Sequence, residues 1–151
     1  MDGLQTIGTG DDAALYYFKD YVVQSGFVTI TEGEGEAAVD KKYYFDPTTH
    51  KAATGLTTIE NSLYLFGEDG VELFGIQDVG DDTYCFDVTT GKALAGFQKD
   101  GDDVYFFDRD SFKLLKADKL TVCNDGNNLF VIDGDNKVQV EWQEVDEKWY
   151  Y

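Results

Sequence analysis

The chain has 151 residues and a formal net charge of −18, with 12 basic residues set against 30 acidic ones. That balance excludes nucleic acid and anionic membrane surfaces as partners, because both are gripped through clustered Lys and Arg. An apolar fraction of 42% is enough for an ordered core of one domain's size, and 11 Phe, 10 Tyr and 16 Gly against one Pro favour strands and turns over helix. No stretch approaches the ~18 apolar residues of a membrane span, so no membrane insertion is expected. The N-terminal MDGLQTIGTGDD lacks the basic and apolar parts of a signal peptide.

The chain reads as seven copies of one phrase. Residues 1–26 carry the first, from GLQTI to Tyr16-Tyr17-Phe18, closing at Gly26. Residues 26–55 carry the second, lengthened by the loop-like Glu32-Gly33-Glu34-Gly35-Glu36 and containing Pro47 in its second turn. Copies at 55–75, 75–96 and 96–120 are the regular ones: Gly55-LTTIENSLYLF, Gly75-IQDVGDDTYCF and Gly96-FQKDGDDVYFF. From Phe45 to Phe66 is 21 residues, to Phe86 another 20 and to Phe107 another 21, a period that identifies a repeat array. Past Asp108 the pattern degrades, with Phe112 at the turn glycine's place and Ala117 at the closing glycine's; residues 120–142 form the sixth copy. A truncated seventh, 142–151, ends on Trp149-Tyr150-Tyr151. Because the first phrase is already repeat-like and the last stops inside a copy, the sequence reads as a fragment, with any export signal, catalytic or effector domain outside it.

Within a copy, Ile76–Val79 predicts a short strand, Gly80-Asp81-Asp82 a tight turn and Thr83–Phe86 the returning strand. Alternation along a strand places Tyr84 and Phe86 on one face and Cys85 on the other. Across copies this predicts a column of Tyr16, Tyr43, Tyr64, Tyr84 and Tyr105, continued by Phe130 and Tyr150. A second column runs through Phe18, Phe45, Phe66, Phe86 and Phe107, continued by Ile132. One copy of about 20 residues buries too little to offset its own ordering entropy, so neighbours must supply the remainder. The predicted fold is all-β, an elongated β-solenoid of stacked hairpins forming a single array over 1–151.

The chemistry-bearing residue types argue against a reaction centre. Two cysteines are too few for a disulfide framework, and Cys85 sits where other copies carry Tyr44, Leu65 or Phe106, as a small buried hydrophobe would. His50 occupies a turn position without a nucleophile or ligand partner at suggestive spacing. Carboxylates repeated in every turn read as a solvated surface and not as the paired acids of a glycosidase cleft. Asp133-Gly134-Asp135-Asn136 lacks the terminal bidentate Glu of a calcium loop. No catalytic residue, metal or cofactor is expected. The aromatics remain: where they line grooves between copies, their faces can stack on a sugar ring or enclose a quaternary ammonium.

LTTIENSLYLFGEDGVELFG, KKYYFDPTTHKAATG and WQEVDEKWYY resemble the cell-wall-binding repeats of Gram-positive bacteria, the superfamily of choline-binding modules, glucan-binding repeats and clostridial toxin C-terminal repeats. The resemblance spans almost the whole chain. It implies a non-enzymatic module of a secreted or cell-surface protein that binds wall or host glycan. Alternatives are a structural spacer or protein-adhesion module without a small ligand, and choline binding at the Trp-bearing end. A choline cage in that superfamily draws tryptophans from the position after the closing glycine and from the one before the tyrosine pair. Here those positions hold Leu56, Ile76 and Phe97, and Leu63, Thr83 and Val104, so only Trp142 and Trp149 fit. By the same analogy, ligand contacts are expected near the irregular junctions, at Tyr44 and Phe112, and at Trp142, Trp149 and Tyr150.

Overall fold

The computed structural model describes residues 2–151, which form two compact units divided between Leu73 and Phe74. Both are built from small antiparallel sheets. In the first unit the hairpins are β1 (Gly3–Ile7) with β2 (Ala14–Lys19), β4 (Gly26–Glu32) with β5 (Val39–Phe45), and β6 (Gly55–Ile59) with β7 (Ser62–Phe66). A short β3 (Val22–Val23) adds to the edge of β2.

The second unit repeats the plan. Its hairpins are β8 (Gly75–Val79) with β9 (Asp82–Phe86), and β11 (Gly96–Asp100) with β12 (Asp103–Phe107). They are followed by β13 (Thr121–Asn124) with β14 (Leu129–Ile132), and β15 (Gln143–Val145) with β16 (Lys148–Tyr150). β10 (Ala93–Leu94) adds to β9. Helix among the described residues is confined to two single 3-10 turns, Gly10–Asp12 and Gly35–Ala37, in the long hairpin loops of the first two copies.

The hairpin turns follow from their residues. Ile59 pairs with Ser62, leaving Glu60 and Asn61 at φ 48° and 65°, the doubly left-handed turn whose twist matches that of the flanking strands. In the next copy Gly80 supplies the positive φ at its first position. The second turn is tied differently. Asp46, Asp87 and Asp108 each accept, on one carboxylate oxygen, the backbone N–H groups two and three residues on, together with the hydroxyl of Thr49, Thr90 or Ser111. These hydrogen bonds hold all three carboxyls below the usual carboxylate range: Thr49 N–H leads at Asp46, Thr90 N–H at Asp87 and the Ser111 hydroxyl at Asp108.

The positions picked out by the period are covered in both units: Phe45, Phe66, Phe86, Phe107 and Ile132 are the largest fully buried side chains among the described residues. Beside them Tyr43, Tyr64 and Tyr84 stack on the phenylalanine of their own copy, with centroids 6.1, 6.5 and 6.2 Å apart. Cys85 is buried too, and its thiol is pushed up by desolvation, whereas Cys123 is half-buried.

Successive copies are joined inside each unit by a recurring backbone bond. In four copies the segment after the second turn donates one N–H to the returning strand of the preceding copy: Ala52 to Leu15 O, Glu72 to Lys42 O, Leu114 to Thr83 O and Val138 to Val104 O, at 2.6–2.8 Å. Each of these four hairpins thereby leans on its neighbour within the unit, which a repeat too small to fold alone requires.

Candidate functional site

Three aromatic surfaces emerge from this plan. The first is on the terminal hairpin, where Gln143 pairs with Tyr150 and Glu144 with Trp149. Alternation along the strands then puts Trp142, Glu144, Trp149 and Tyr151 on one face and Gln143 and Tyr150 on the other. Trp142 and Trp149 are each 62% exposed and Tyr151 79%. The Trp142 and Tyr151 rings meet at 5.2 Å and 44°. Flat aromatic surface with a carboxylate at its edge can stack on a sugar face or attract a cation. Tyr150 instead lines a cleft of about 420 Å³ with Lys119, Leu120, Thr121 and Val122.

The second surface lies between the second and third copies. Phe27, 42% exposed, packs its ring 4.9 Å from Tyr44, its pairing partner across the hairpin, and 5.3 Å from Tyr64 of the next copy. Lys42, two residues before Tyr44 on the same strand face, carries its ammonium 4.8 Å from the Phe27 centroid and 2.9 Å from Glu72 Oε2. Burial, with the charge of Glu72 next, pushes the Tyr64 hydroxyl up.

The third surface lies between the fifth and sixth copies. Phe97, 41% exposed, meets Phe106 at 5.0 Å and Phe130 at 5.0 Å, and Phe106 and Phe130 are 4.6 Å apart. Beside Phe106 a cleft of about 350 Å³ is lined by Asp108, Arg109, Leu115, Asn124 and Asp125. Arg109 Nη2 donates to Asp125 Oδ2 at 2.9 Å, and this bond, helped by the Asn127 and Asn128 amides, lowers the Asp125 carboxyl to about 2. None of the three surfaces brings together a nucleophile and a base. Among the described residues no His, Cys, Asp and Glu group is arranged to hold a metal ion.

The residues expected from sequence divide accordingly. Tyr44 sits inside the second surface, although its neighbours leave it half-buried. Trp142 and Trp149 share the terminal face. Tyr150 is on the opposite side of that hairpin. Phe112 takes part in no ring contact among the described residues; it holds the second turn of its copy at φ 61°, with its N–H donating to Asp108 O at 2.9 Å. His50, at the equivalent turn position, has φ 58°. Sequence reasoning passed over Tyr151, Phe27, Lys42 and Glu72. Phe27 carried a signal, since it follows its closing glycine and pairs with Tyr44 just as Leu56 pairs with Leu65. Glu72 carried none, and it departs from the solvated surface expected of the carboxylates, being 2% exposed.

Comparison with known proteins adds three findings. The family described as "Putative cell wall binding repeat" matches residues 140–151, the terminal hairpin. Toxin B of Clostridioides difficile is 33% identical over 63 residues, 41% of this chain and 2% of the toxin. Among solved structures, choline binding protein F from Streptococcus pneumoniae superposes with a TM-score of 0.72 at 22% identity, over 100% of this chain and 49% of that one. CbpJ of the same species gives 0.60 at 22% identity, over 100% of this chain and 63% of that one. At such identities the superpositions show a shared fold, and the chain spans about half of the length of choline binding protein F. No helix among the described residues is long and apolar enough to cross a membrane. The terminal hairpin is thus similar to a cell-wall-binding repeat, a 63-residue stretch is similar to Toxin B, and the hairpin fold is shared with choline binding protein F.

Proposed function

We propose that the chain is a non-catalytic cell-wall and carbohydrate-binding module of a secreted or surface-attached bacterial protein. Its repeats stack as a β-solenoid within each unit and present aromatic faces to a glycan. The observation that carries this reading is the terminal hairpin, which groups Trp142, Trp149 and Tyr151 with the Glu144 carboxylate on one face. Tyr44, with Phe27, offers a smaller second contact, and Tyr150 and Phe112 support their hairpins in this reading. The test is a glycan array followed by calorimetry on the intact chain. Binding to a wall polysaccharide or host glycan that is lost in Trp142→Ala/Trp149→Ala supports the module; no binding to any of them leaves a spacer.

A second reading, choline at the same end, is favoured by the match of residues 140–151 and by Glu144 standing opposite Trp149 on the aromatic face. A carboxylate beside stacked rings suits a quaternary ammonium more than a neutral sugar. Titration with choline separates the two: quenching of Trp142 and Trp149 fluorescence by choline, with no response to glycans, selects this reading.

A further inference from the structure

Three of the four joints between copies are built from residues that carry no address. The backbone bond sets Ala52 against Leu15, Leu114 against Thr83 and Val138 against Val104, and a segment with such a residue would sit equally well on another copy's strand. At the joint of the second and third copies the same bond sets Glu72 against Lys42. Their charges meet at 2.9 Å, with the Glu72 side chain 0% exposed and that of Lys42 30%. Neither Glu72 carboxylate oxygen has a hydrogen-bond partner among the described residues, so the Lys42 ammonium is what is set against this buried anion. Phe27, on the same hairpin as Lys42, lies 4.8 Å from that ammonium, which positions the charge within the second copy itself. A buried pair of this kind adds little cohesion, because taking two charges out of water offsets most of their attraction. It penalises every other pairing, however. Glu72 docked against Leu15 would be a buried anion without a counter-charge, and Ala52 of a second chain docked against Lys42 would leave the ammonium without its carboxylate. Copies of similar sequence on one chain are prone to such skipped and exchanged pairings.

We infer that the Lys42–Glu72 pair is a register key: it directs the third copy onto the second copy of the same chain and turns away skipped or exchanged copies. Its discrimination is on the order of 100-fold or more, the effect of burying one member of such a pair alone. The key acts on assembly of the array and is independent of what the terminal hairpin binds.

Exchange between chains reads the key. Lys42→Val/Glu72→Val removes it while copying the joint of Val104 and Val138. Refolded from denaturant at rising chain concentration, this variant should give several-fold more exchanged dimers and larger species than the original chain, by size-exclusion chromatography with light scattering. Its monomer should keep a Tm near the original. A monomer yield equal to the original at every concentration overturns the proposal. Lys42→Glu/Glu72→Lys, which reverses the polarity, should restore the original yield, and a yield no better than that of the valine pair overturns it too. Should the valine pair not fold, a mixture of two chains decides. Lys42→Glu and Glu72→Lys each set like charges together, but exchange of third copies between one chain of each kind re-forms both opposite-charge contacts. Native mass spectrometry of the co-refolded mixture should show an equimolar heterodimer, with neither variant dimerising alone. Monomers of both variants without a heterodimer would show that the charges do not choose the partner.

Discussion

The junction between copies two and three and the one between copies five and six are the same construction with different residues. Phe27, Lys42, Tyr44, Tyr64 and Glu72 in the first correspond to Phe97, Val104, Phe106, Phe130 and Val138 in the second, position for position in the pairing register. The outer phenylalanine is equally exposed in both, at 42% and 41%. The second junction closes with rings and valines alone, drawing Phe106 and Phe130 to 4.6 Å. The first holds an ion pair where the valines would be. Stacking of copies therefore does not require the charges, and their presence needs a reason other than cohesion.

The largest effect should come from breaking the ion pair on one side. Lys42→Val leaves Glu72 buried without a counter-charge and is expected to cost ~3–5 kcal/mol in denaturant melts, whereas Lys42→Val/Glu72→Val, which copies the other junction, should recover most of it. A double variant as unstable as the single one would show that the two junctions are not interchangeable. Next comes ligand affinity at the terminal hairpin. Trp142→Ala/Trp149→Ala should weaken binding tenfold or more, while these exposed positions move stability by only ~0.5 kcal/mol. Circular dichroism melts alongside calorimetry separate the two quantities.

Acid should distinguish the junctions as well. The Asp125 carboxyl titrates at about 2 in the folded chain against 3.8 unfolded, so the bond to Arg109 contributes fully above pH 4 and is lost as the pH falls toward 2. Arg109→Gln should flatten that limb of the stability profile in the second unit. The smallest effect is expected at the exposed pairs Lys113 with Asp82, 2.7 Å apart, and Lys137 with Asp103, 2.9 Å apart. Asp82→Asn and Asp103→Asn should leave the melting midpoint within error at physiological salt, because such pairs are solvated and screened.

Much of this architecture was legible beforehand because the period of the sequence is the period of the fold. The burial of Phe45, Phe66 and Phe86 follows from spacing and strand alternation alone, and so does that of Cys85. Turn chemistry was legible at Gly80 but not at Glu60-Asn61, where two residues with side chains accept left-handed torsions that packing of the hairpin enforces. The candidate sites were read less completely. Trp142 and Trp149 stand out by residue type, but that Tyr151 and not Tyr150 shares their face is a matter of register, which shifts sides with each residue. Phe112 stands out in the sequence because it marks an irregular junction, and the structure puts it in the second turn of its copy. Glu72, in the run Val71-Glu72-Leu73, gives no sign of burial, since its cover comes from a strand thirty residues away in the chain.

The two thiols of the second unit differ in cover, Cys85 being buried in β9 and Cys123 half-buried in β13. Alkylation rates can thus serve as a native clock for local opening. Labelling of Cys123 times the fraying of one hairpin, and labelling of Cys85 times the parting of the core around it, with no reporter introduced.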